Sequence, residues 1–212
     1  MPGIVSKLVA EWEDFEVQHT NSSIEDFCRY YLLREREKSG MAGVVGGHIP
    51  PNTNALLLKI LGRIGLIFLN YRTLALEETE LGIPEGFPFL NALKHLGESK
   101  KTDVVNYNLT ELSTGIDILN RLKAQGLISE RPDLVDRRSK LVSITEKGER
   151  VLLECYQKMH VLGEIMLCDM SEDEKMICVQ LLKNLEIKHS RLVNESKGKT
   201  LEEIAMISKE RK

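Results

Sequence analysis

The chain has 212 residues, 42% of them hydrophobic, enough to bury a core as one domain or as a domain with helical extensions. Its formal net charge is -3, so bulk charge gives no argument for nucleic acid, and any such contact must come from local placement of basic residues. The local balance differs: residues 100–150 hold ten Lys/Arg against eight Asp/Glu, a net of +2, whereas residues 1–50 hold five against eight, a net of -3. Glu11, Glu13, Asp14 and Glu16 argue against a secretory signal. The most apolar stretch, residues 56–71, is interrupted by Lys59 and Arg63 and falls short of the roughly 20 apolar residues of a membrane span. The expectation is a cytoplasmic protein with no membrane partner. Cys28, Cys155, Cys168 and Cys178 show no CxxC spacing and fall in helical patterns. They read as small buried hydrophobes in a reducing compartment, with redox sensing by one of them as the alternative.

In chain order, Ile4, Val5, Leu8, Val9, Trp12 and Phe15 recur at helical spacing. Ser22 and Glu25 have capping-box spacing ahead of a second helix that Ser39-Gly40 should end. These form an N-terminal helical extension over residues 1–40, followed by a Gly/Pro-rich linker over 41–53. A helix over about 54–80 is apolar nearly all round and needs cover on nearly all sides, for which a partner subunit is the natural source. Gly82 and Pro84 break it. A shorter helix turns Leu90, Leu93 and Leu96 inward and closes at Gly97. Thr102 is placed to cap a helix through Val104, Val105 and Tyr107, and Asn108-Leu109 forms a turn. Thr110 is placed to cap a helix over about 111–125 whose inward ridge is Ile118, Leu119 and Leu122. Residues 127–131 and 140–144 read as strands joined by a charged turn. Thr145 or Glu146 then opens a long helix. Ser171 with Glu174 caps the next, and Thr200 with Glu203 caps a short helix in the tail, residues 199–212. The fold class is mainly α with a small β wing: a winged helix-turn-helix at about 85–145, flanked by long dimerisation helices at about 54–80 and 146–195.

Helices fit the major groove, and short polar side chains near a helix start reach base edges. On the helix at 111–125 the candidates are Ser113, Thr114, Ile116, Asp117 and Arg121, with Ile116 suited to a thymine methyl and Asp117 to a cytosine amino group. At the hairpin, Arg131, Arg137, Arg138 and Lys140 are candidates for phosphates or a narrow minor groove.

The run Asp136-Arg137-Arg138, then Leu141 to Glu146 and Gly148, together with Arg121 to Ile128, resembles the MarR family of winged-helix transcriptional regulators over about residues 54–190. The resemblance implies that Arg138 is the wing arginine of the minor groove, that Asp136 supports the wing, and that Ser113 and Thr114 front the recognition helix. It implies a homodimer with interlocked first and last helices on a pseudo-palindromic double-stranded operator. It also implies repression relieved by a small apolar or aromatic effector, or by oxidation. The effector pocket would lie near residues 61–71. The chain departs from the family pattern at Gly115, usually aliphatic, at Ile116, usually polar, at Asp117, often basic, and in its N-terminal extension.

No local motif joins a nucleophile, a base and an orienting group, so no enzyme is expected. His19, His48, His95, His160 and His189 are scattered, no GxGxxG loop occurs, and neither cofactor nor metal is expected; a zinc sensor would need distant ligands to converge. The competing class is a winged-helix protein-interaction module without specific DNA binding.

Overall fold

A computed structural model describes residues 3–37, 47, 52–136 and 139–210. Among these it holds nine helices and a three-stranded antiparallel sheet. The chain divides into two compact units, Met1–Ile60 and Leu61–Lys212.

In the first unit, α1 (Ile4–Gln18) and α2 (Ile24–Glu37) pack through aromatic rings. Phe15 and Phe27 are buried, Trp12 meets Phe27 edge-on at 5.1 Å, and Phe15 lies 5.0 Å from Tyr30. Arg34 of α2 pairs with Glu11 of α1. The cap of α2 lies one residue beyond the expected Ser22–Glu25 box. The Ser23 hydroxyl accepts from Asp26 N–H at 3.2 Å, and the Asp26 carboxylate accepts from Ser23 N–H at 2.9 Å. The Ser22 hydroxyl instead donates to His19 O at 2.6 Å. Ser39-Gly40 and the linker at 41–53, apart from Gly47, Asn52 and Thr53, lie outside the described residues.

The helix α3 (Thr53–Glu77) stops three residues short of the expected end, where Thr79 turns its hydroxyl onto Leu76 O at 2.7 Å and Gly82 takes a positive φ. Its 25 residues are long and apolar enough to cross a bilayer by length and composition alone. Lys59 and Arg63 interrupt that apolar run, as read in the sequence, and Arg72 follows it. Leu58, Leu66 and Leu74 are exposed on α3, and Leu76 is buried.

The core of the second unit is wound around α4 (Gly86–Leu96), whose Phe89, Leu90 and Leu93 are buried. Leu96, expected inward, is half-exposed because the helix closes there at Gly97. Next come β1 (Ser99–Lys100), α5 (Lys101–Tyr107), α6 (Leu112–Ala124), β2 (Ile128–Pro132) and β3 (Lys140–Ile144). The sheet order is β1-β3-β2, with Ser99 opposite Val142 and Glu130 opposite Val142 on its other side. β1 was not legible in the sequence, since two residues carry no alternation. Two caps also differ from expectation. Lys100 precedes α5 without a side-chain cap, and Glu111 is the N-cap of α6 while Thr110 donates to Asn108 O at 3.1 Å.

After the wing come α7 (Glu146–Met166), α8 (Glu172–Glu195) and α9 (Leu201–Glu210). Thr145 caps α7, and the expected boxes Ser171–Glu174 and Thr200–Glu203 both form. One side of α7, with Val151, Leu152 and Cys155, enters the core. On α8, Leu192 is buried, while Met176, Val179, Leu182 and Leu185 form an exposed apolar stripe. The end of α8 reaches the helix-turn-helix: Asn194 donates to Asn106 O at 3.2 Å, and Lys197 donates to the Asn106 side chain at 2.6 Å. Of the cysteines, Cys155 is buried and its thiol is pushed up by burial; Cys28, Cys168 and Cys178 are exposed. The expectation of four buried thiols fails because helical spacing alone does not fix which face is covered.

Candidate nucleic-acid interface

The helix α6 buries Gly115, Ile118, Leu119 and Leu122. Its 3.6-residue period then turns Ser113, Thr114, Asp117 and Arg121 outward, and all four are exposed. Ile116 does not join them. It is half-buried and packs on the core, since it stands three residues before Leu119 on the edge of the inward ridge. Gly115 has a steric cause: a Cβ there would stand 2.5 Å from Val105 Cγ2, so α5 and α6 cross too closely for a side chain. The residue that looked like a departure in the sequence is what lets the two helices of the motif meet.

The wing is pinned at its base. Thr145 N–H and its hydroxyl both donate to Leu127 O, at 3.0 and 3.1 Å. The Thr145 hydroxyl oxygen also accepts from Gly148 N–H at 3.0 Å. A Cβ at Gly148 would lie 2.1 Å from Leu127 O, which explains the glycine in the motif. In the loop, Asp133 is buried and accepts from Val135 N–H at 2.9 Å, a bond that holds its carboxyl below the usual range. Ser139 N–H donates to Asp136 O at 2.8 Å, and Asp136 accepts from Lys100 Nζ at 3.3 Å. Arg137 and Arg138 lie outside the described residues. Leu134 and Val135, passed over in the sequence, are 85% and 96% exposed at the wing loop.

Two expected phosphate contacts have protein partners. The Arg131 guanidinium forks onto both oxygens of Glu98, with Nε donating at 2.7 Å, and holds the Glu98 carboxyl below the usual range. Lys140 lies 2.7 Å from Glu130. Glu130 itself was missed. Strand alternation puts it on the same side as buried Ile128, and that inward register was the signal available in the sequence. Hydrogen bonds first from Lys101 and then from Lys140 lower its carboxyl to about 2. Among the described residues no group of three or more His, Cys, Asp or Glu converges to hold a metal ion.

A crossed helix pair, an outward polar helix face and a β hairpin beside it make up this segment. A family model described as a winged helix DNA-binding domain matches residues 89–148. That segment has the winged-helix fold. The HTH-type transcriptional repressor NicR of Pseudomonas putida is 27% identical over 99 residues, 47% of this chain. The chain spans 63% of that repressor's length. Among solved structures, the organohalide-sensing RdhR transcriptional regulator, bound to 2,4-dichlorophenol, superimposes with a TM-score of 0.61 at 19% identity, covering 76% of this chain and 95% of that one. A mutant MarR from E. coli complexed with operator DNA gives 0.52 at 22% identity, covering 59% and 93%. The winged helix therefore sits in a fold of MarR type, as the sequence resemblance implied.

Proposed function

We propose that this chain is a homodimeric, sequence-specific DNA-binding transcriptional regulator, a repressor that answers a small apolar or aromatic effector. The observation that carries the reading is the outward face of α6, with Ser113, Thr114, Asp117 and Arg121 exposed beside the β2–β3 wing. In this reading α6 enters the major groove, and Arg137 and Arg138 contact the adjacent minor groove or its phosphates. Arg131, engaged with Glu98, and Asp136 support the wing, and Ile116 belongs to the core. The MarR-like domain covers 54–198, preceded by the helical extension and linker and followed by a short tail.

Exposed apolar residues on α3, α7 and α8 support the dimer, since burying them against a second copy is favourable. A lipid environment fits α3 less well, because Lys59, Arg63 and Arg72 lie along it. A cytoplasmic location and a regulatory, non-catalytic role follow from the same reading. The effector proposal draws on the dichlorophenol bound by RdhR. A ligand that prefers a dimer whose two α6 helices are out of step with DNA would release the operator by population shift.

The test is fluorescence anisotropy with duplex from the chain's own upstream region and with genome-selected duplexes, over a salt series. Selective, salt-sensitive binding is expected, with a loss of at least about tenfold in Arg137→Ala/Arg138→Ala. Absence of selective binding to every selected duplex would instead support the interaction-module reading, to which Asp117 on the outer face of α6 also inclines.

A further inference from the structure

Between α6 and the wing lies a cationic feature built from several elements around one carboxylate. The Glu130 side chain is 5% exposed, and three ammonium groups converge on it: Lys101 at 2.6 Å, Lys140 at 2.7 Å and Lys123 at 3.4 Å. One carboxylate offsets one of three cations, so the cluster keeps two positive charges. Its negative member is covered, while Lys123 and Lys140 are 49% and 62% exposed, so the outward field is positive. Holding three ammonium groups this close opposes their mutual repulsion, which a bound anion relieves. Lys100, Lys101 and Lys140 line an open cleft of about 390 Å3 with Thr102 and Ser139. Asp136 also lines it and, with Asp133, meets Lys100 at 3.3 and 3.9 Å. These carboxylates engage Lys100 and leave the Lys101–Lys140 side basic.

The location decides the occupant. A major groove and its neighbouring minor groove are separated by one sugar-phosphate strand. If α6 occupies the first and the wing the second, that strand runs over what lies between them. Lys123 of α6 and Lys140 of β3 are both part of the Glu130 cluster. We propose, building on the DNA-binding reading, that this cleft takes one DNA backbone phosphate through Lys101 and Lys140, with Glu130 as the positioning residue that fixes both. The contact carries no sequence information; it sets the register of the reading head on the duplex.

The experiment compares the full-length protein with Lys101→Ala/Lys140→Ala, Lys140→Arg and Glu130→Gln on a selected duplex and a mixed-sequence duplex, over a salt series. Unfolding midpoints confirm that each variant is folded. The double variant should lose about one unit of log-log salt slope per phosphate contact removed, and should weaken both duplexes by the same factor. Lys140→Arg should keep the parental slope. Glu130→Gln discriminates by sign. It removes one negative charge from the protein, so simple electrostatics tightens DNA binding, whereas loss of the anchor weakens it. A several-fold weakening supports the proposal; tighter binding, or an unchanged slope in the double variant, overturns it. Parental protein that binds no duplex in a salt-dependent way overturns the DNA reading as well, whereas intact selective binding with these negative results overturns this inference alone.

Discussion

At the scale of single residues, Glu130 ties the stability of the wing root to pH. Its carboxyl is ordinarily near 4.5 and is held at about 2 in the fold by Lys101 and Lys140. A lowered value in the folded state means that the charged form is the stabilising one. The contribution is complete above the unfolded value and is lost as pH falls from about 4.5 through about 2. Glu130→Gln should therefore cost on the order of 2 kcal/mol near neutrality, and parent and variant should converge below that window, as read by denaturant unfolding at stepped pH. Arg131→Ala is expected to move the unfolding midpoint less than Glu130→Gln does, because the pair with Glu98 faces solvent. The sequence displayed the exposed polar candidates on α6 well, since periodicity alone orients them. Ile116 and Glu130 were harder to read for one reason. Both stand at the boundary between a buried ridge and a solvent face, where one pattern serves either side.

At the scale of elements, two close approaches make their own predictions. Gly148→Ala forces a Cβ onto the Leu127 carbonyl, a backbone atom that cannot rotate away. A loss of about 2–4 kcal/mol in unfolding free energy is expected, with collapse of the wing base. Thr145→Ala removes the α7 cap and should cost about 1 kcal/mol. Gly115→Ala presses on Val105, and the double change Gly115→Ala/Val105→Ala should recover much of the loss if that contact is the cause. The wing strands and α7 could be read from the sequence because alternation and a cap coincide there. β1 was illegible because its two residues become a strand only by pairing with β3. The cap of α2 shifted because Ser22 turns its hydroxyl onto His19 O and leaves the free N–H to Ser23, and that of α6 because Thr110 turns onto Asn108 O and leaves Glu111 at the N-cap without a side-chain bond.

At the scale of the whole molecule, the apolar stripe on α8 argues for a second copy. Leu185→Glu places a charge among Met176, Val179 and Leu182 without touching the described core. Sedimentation velocity should show a dimer for the parent and at least about a tenfold weaker self-association for the variant. An unaltered dimer would remove α8 from the interface. The exposed apolar surface was visible in the sequence as helices too greasy for their surroundings, but a single chain cannot name what covers them.

The charge asymmetry has a kinetic consequence. Outside residues 100–150 the chain holds nineteen Lys/Arg and twenty-four Asp/Glu, a net of -5, against +2 within that segment. On the proposed DNA-binding reading, duplex is attracted to this segment, while the rest of the chain carries a net charge of the opposite sign. On that reading, encounters made through the basic segment are favoured over others. Raising ionic strength should slow association more than it hastens dissociation from contacts outside the cluster, an asymmetry that stopped-flow measurements would resolve.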